Sequence, residues 1–138
     1  MEQGKPKAAP LVGIVLTALS IALLAGLATF AGPCAHGGAE TPSCVWAQRA
    51  MLGAGAVLAV LAIVRIFETD EGERRGLSLG CALVGAYIRL VPGVIIGLCP
   101  DVSMPCNAIM HPFASALGLA VFLVGAGDLT RRLLSLRK

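Results

Sequence analysis

The sequence predicts an all-α integral membrane protein: a single domain over residues 1–138, built as a four-helix bundle of two helical hairpins. Both termini are expected on the cytoplasmic side, with two disulfide-braced outer loops. Three observations predict this. Hydrophobic residues make up 57% of the chain and charged residues only 14%, where a soluble domain carries about 25% charged residues; mean hydropathy is +0.83. The apolar residues fall into four runs of spanning length, and the basic residues sit at the ends of those runs with a one-sided bias.

The runs are 11–31, 46–67, 77–98 and 108–129. Each would measure about 32 Å as a helix, matching a hydrocarbon core of about 30 Å. The first is free of charge and follows Lys5 and Lys7. A signal peptide has an apolar region of only about 7 to 15 residues, so an uncleaved first helix is the better reading. The second run carries Arg49 and Arg65 near its ends, the third carries Arg89, and the fourth carries His111 and Asp128. Between the second and third, Glu68, Asp70, Glu71, Glu73, Arg74 and Arg75 read as a solvated turn.

Lys and Arg beside spanning helices mark the cytoplasmic side. Of the 11 basic residues, only Arg49 and Arg89 depart from that side. The outer loops are then 32–45 and 99–107, and they hold four of the 5 cysteines. Cys34 and Cys44 lie in the first loop, Cys99 and Cys106 in the second, and both loops open with Gly-x-Cys. Paired thiols on an oxidising face predict two disulfides, with three pairings open. A clasp within one loop would contribute about 2 to 3 kcal/mol. Cys81, toward the inner end of the third run, reads as a small packed residue.

The same loops admit a metal or thiol-redox reading. Cys99, Met104, Cys106 and His111, with His36 from the first loop, offer the soft and imidazole ligands that suit copper or iron. No Cys-x-x-Cys occurs, so the short spacing of a zinc or thioredoxin-like site is missing.

Charge inside the bilayer is costly and points to function or pairing. Arg65 and Asp128 are placed to pair near the inner ends of their helices. Arg89 lies deeper, three residues before Pro92, which should kink its helix. Freed carbonyls at Pro92, or Asp101, could satisfy it. Alternatively Arg49 and Arg89 form an anion or partner contact with Asp101 nearby, which leaves open a lipid- or quinone-binding role. Small residues at four-residue spacing supply faces for close helix packing, among them Gly93 with Gly97 and Ala114 with Gly118.

Several function classes are excluded. The basic residues form no patch interleaved with aromatics, which argues against nucleic acid. There is no phosphate-binding glycine loop and no Gly-x-Ser-x-Gly elbow. A non-enzymatic role is the expectation.

The motif Cys44-Val45-Trp46 with Ala47 and Ala50, then Cys99-Pro100 through Met104-Pro105-Cys106-Asn107 and Pro112, carries a resemblance. The layout, over about 120 residues, resembles the bacterial and archaeal membrane proteins grouped as domain of unknown function 4418. Val45 stands where that family's first loop tends to carry a histidine. The resemblance implies an accessory plasma-membrane subunit of a transport complex, such as a MacB-type ABC transporter permease. Its partners would be that larger complex and membrane lipid.

Overall fold

The computed structural model describes residues 8–34 and 42–137; within them the chain is all-helical and has no strands. Four helices run in order: α1 (Ala8–Ala28), α2 (Ser43–Phe67), α3 (Glu71–Leu90) and α4 (His111–Leu136), the last led in by a wider π turn, Cys106–Met110. His36 and Glu40 lie outside the described residues.

The pairs α1–α2 and α3–α4 pack most closely, so two helical hairpins form the bundle. The α3–α4 contact is set by glycine. A Cβ on Gly118 would lie 2.7 Å from the Arg89 backbone nitrogen, and one on Gly85 would lie 2.6 Å from that of Phe122. Only residues without side chains let these backbones approach so far. Leu16, Leu23, Leu27, Met51, Leu58, Ile88, Met110 and Val121 fill the interior between the hairpins.

Three helical segments are long and apolar enough to cross a membrane: Pro10–Ala28, Ser43–Phe67 and Cys106–Leu136. The third run departs from expectation. Its helix starts at Glu71 rather than Leu77, because Asp70 caps it, accepting from the Gly72 and Glu73 amides at 2.7 and 3.1 Å, and two acids in the first turn complement the helix dipole. It stops at Leu90 rather than continuing to Leu98. Pro92 cannot extend the hydrogen-bond ladder, and Gly93 adopts φ +89, reversing the chain. The Ile95 and Ile96 amides then donate back to the carbonyls of Leu90 and Val91 at 3.1 and 3.0 Å. Helical apolar sequence here is therefore only Leu77 to Leu90, about 21 Å. Gly93 and Gly97 lie in the connection that follows and serve no helix face.

One end of the bundle is closed by an ionic layer. Arg65, fully buried, donates from Nη2 to Asp128 Oδ2 at 2.5 Å and from Nε to the Ser78 hydroxyl at 3.0 Å. Ser78 in turn donates to Asp128 at 2.7 Å, and Arg132 joins Asp128 at 2.8 Å and Glu71 on α3. The expected pairing of Arg65 with Asp128 thus holds three helices in register.

Candidate functional site

The opposite end of the bundle carries the cysteines. Cys34 follows α1, Cys44 is the second residue of α2, Cys99 belongs to the α3–α4 connection, and Cys106 opens the π turn. Each arrives for a local reason. Gln48 donates from Nε2 to the Leu27 carbonyl at 2.6 Å, tying the end of α1 to the start of α2. Phe30 meets Phe113 edge to face at 5.0 Å between centroids, fixing that corner against α4. Asn107 donates from Nδ2 to the carbonyls of Cys99 and Asp101 at 2.6 and 2.9 Å, folding the second loop over the helix start. Pro112 has no amide hydrogen to bond the carbonyl four residues earlier, and its ring crowds that carbonyl. The preceding turn widens, with the His111 amide bonding to the Cys106 carbonyl. Cys106, expected in the loop, is thereby carried inward on the first turn of the helix.

The four thiols converge: their sulfurs all lie within 4.8 Å of one another. Cys44 and Cys106 are fully buried, Cys34 is nearly so, and Cys99 is half-buried. The two disulfides expected from the sequence are not formed; all five cysteines are free thiols. The reason is topological. Cys44 at the start of α2 and Cys106 on the π turn meet at this end, so the two loops deliver their cysteines to one place. Burial pushes the Cys34 thiol up, aided by its hydrogen bond with Cys106. The hydrogen bond with Cys106, then burial, pushes Cys99 up to about 12. Cys81 lies apart on α3, fully buried.

The other residues singled out by sequence are dispersed. The His111 ring lies against Gly93, 3.7 Å from where a Cβ would stand, and is not part of the thiol cluster. Met104 packs partly buried against the core, its carbonyl accepting from the Asn107 and Ala108 amides. Asp101 braces its own loop: Oδ1 accepts from the Ser103 amide at 2.9 Å and hydroxyl at 2.7 Å, which holds its carboxyl below the usual range.

Arg49 stacks over Trp46 at 5.3 Å and lines a groove of about 450 Å³ between α2 and α3 with Tyr87. Arg89 faces the other side of α3, in a hollow of about 240 Å³ against α4. Its hydrogen bond goes to Ser115 at 3.4 Å, not to Asp101. Arg49, Arg89 and Asp101 thus lie in three separate surroundings.

Sequence reasoning missed Gln48, Phe30 and Phe113 as organisers of this end. A glutamine one turn after Cys44 in an apolar run was the available signal for the first.

No curated protein and no solved structure matches the chain. The chain nonetheless belongs to a recognised family, the one described as Domain of unknown function (DUF4418), which it matches over residues 9–130.

Proposed function

We propose that this chain is a membrane-anchored metal–thiolate protein in which Cys34, Cys44, Cys99 and Cys106 bind one ion, and that it acts as a non-enzymatic subunit of a larger transport complex. The membrane is the bacterial or archaeal plasma membrane, with N- and C-termini inside and the cysteine end outside. The observation that carries the metal reading is the convergence of four sulfurs within 4.8 Å. A metal–sulfur bond of about 2.3 Å places tetrahedral sulfurs about 3.8 Å apart, so a small contraction closes the shell. A multi-iron cluster would push the thiolates further apart, which favours a single ion. A four-sulfur shell without Met104 or His111 suits zinc or iron better than copper. The ion would join the outer ends of both hairpins, where a disulfide clasp within each loop would brace only one.

The test is anaerobic purification in mild detergent followed by metal quantification. One zinc or iron per chain is expected, and cobalt(II) substitution should give the intense thiolate-to-metal absorption of a four-sulfur site. A metal-free protein with two intact disulfides by non-reducing mass spectrometry would replace this reading with the bracing one. The subunit reading is tested separately, by whether a transport permease copurifies.

A further inference from the structure

Arg89 is the least expected charge in the molecule, and its depth can be fixed from both ends. It lies eleven residues beyond Ser78, which belongs to the ionic layer with Asp128; at ~1.5 Å per residue this is about 16 Å along α3. Its hydrogen-bond partner Ser115 lies nine residues beyond Cys106 in the cysteine layer, about 13 Å along α4 by the same rise. The two lengths sum to about the thickness of a hydrocarbon core, which puts Arg89 near its middle.

The side chain is exposed there, on the outer face where α3 meets α4. Ala86, Leu90, Leu119 and Phe122 line the hollow with it, and no carboxylate among the described residues lies within ion-pair distance of its guanidinium. One neutral hydroxyl at 3.4 Å is a weak hydrogen-bond partner for a full charge. A guanidinium facing hydrocarbon with that support alone is strongly disfavoured.

A second copy of the chain does not remedy this. Asp101 lies in the outer loop, Asp128 is held in the ionic layer, and Glu68, Asp70, Glu71 and Glu73 lie at the α2–α3 turn. Glu2 and Glu40 fall outside every apolar run. No acid of a like subunit reaches mid-membrane depth in either orientation.

We propose that the α3–α4 face around Arg89 docks a transmembrane helix of a different protein, and that this helix carries an aspartate or glutamate accepting from the Arg89 guanidinium. This deepens the subunit reading above and rests on it. The surrounding Leu90, Leu119 and Phe122 supply the apolar contact, and exclusion of water and lipid strengthens the ion pair.

The test uses the full chain in its native membranes, with a photocrosslinking amino acid at Leu119 and, as control, at Leu11 on α1. The Leu119 probe should crosslink a single membrane protein, and mass spectrometry of the product should map to a membrane-spanning peptide containing Asp or Glu. Arg89→Leu should lower the yield at least tenfold while leaving thermal stability unchanged, and Arg89→Lys should retain part of it. Exchanging the charges, Arg89→Asp with the partner carboxylate changed to Arg, should restore it.

Crosslinks to lipid alone would mean that Arg89 reaches a phosphate headgroup, and crosslinks to a second copy would mean homodimerisation; either overturns the proposal. So does a protein crosslink indifferent to Arg89→Leu. Copurification of a partner that survives Arg89→Leu would spare the subunit reading while removing this face from it. Absence of any copurifying protein would remove both.

Discussion

Arg65 and Asp128 meet at 2.5 Å across sixty-three positions of sequence, with the arginine side chain fully buried and the aspartate 10% exposed. Asp128 also accepts from Ser78 and Arg132, so one carboxylate receives donors from α2, α3 and α4. Removing one partner of such a pair leaves the other charge desolvated. Asp128→Ala should cost about 3 to 5 kcal/mol in detergent-based unfolding. Replacing both partners, Arg65→Met with Asp128→Leu, should recover most of that loss. A double variant no better than the single one would show that the layer is not a simple ion pair.

The α3–α4 seam should be intolerant of a single methyl group. A Cβ at Gly118 would meet the Gly85 carbonyl at 2.8 Å, and one at Gly85 would meet the Gly118 carbonyl at 2.9 Å, both backbone atoms that cannot swing aside. Gly118→Ala or Gly85→Ala should therefore destabilise by about 1 to 3 kcal/mol. Gly53→Ala, with nothing within 4 Å, should leave the melting temperature undiminished. Thermal melts of the three variants in one detergent separate the cases.

The thiol cluster should respond to substitution as a unit. Changing any one of Cys34, Cys44, Cys99 or Cys106 to serine removes one of four ligands and should lower zinc or iron affinity at least tenfold. Cys81→Ser, on α3 and outside the cluster, should keep one ion per chain. Metal content by elemental analysis, after dialysis against a weak chelator, reads this directly. Because the ligand is the thiolate, acidification should release the ion.

The α2–α3 turn carries its own pH dependence. The Glu68 carboxylate accepts from the Asp70 amide at 3.1 Å and the Thr69 amide at 2.9 Å, and these bonds, the Asp70 one foremost, hold its pKa below the usual value. A depressed folded pKa means the stabilisation is present above the unfolded value of about 4.3. It is lost as pH falls through the lower folded value. Amide exchange at Thr69 and Asp70, corrected for intrinsic rates, should lose protection across that window. Glu68→Gln should abolish the dependence.

Much of the architecture was written in local pattern. Charge-free or nearly charge-free runs of twenty-odd residues announced α1, α2 and α4, because length and composition alone decide whether a helix can sit in hydrocarbon. The family was legible in the run from Cys44 to Trp46 and in that from Cys99 to Pro112, and the chain matches it over residues 9–130. The third run misled because its apolar composition continues past Leu90, whereas Pro92 and the left-handed Gly93 end the helix there. Pro92 was visible as a kink; that the chain would turn back at Gly93 depended on backbone hydrogen bonds reaching forward to Ile95 and Ile96.

The sequence by itself determined an all-helical chain with helices apolar enough to cross a membrane, four cysteines in two loops, and charges at set places along the apolar runs. Only the tertiary structure decided what those residues do to one another. Packing of the two hairpins brought their loops to one end, so the cysteines meet as one four-thiol cluster and not as two separate clasps. It also set Arg49 of α2 and Arg89 of α3 in different hollows and left Arg89 exposed. Hydropathy and spacing report how each segment meets its solvent; the meeting of residues sixty positions apart is fixed by backbone approach, and here glycines without side chains set how close that approach becomes.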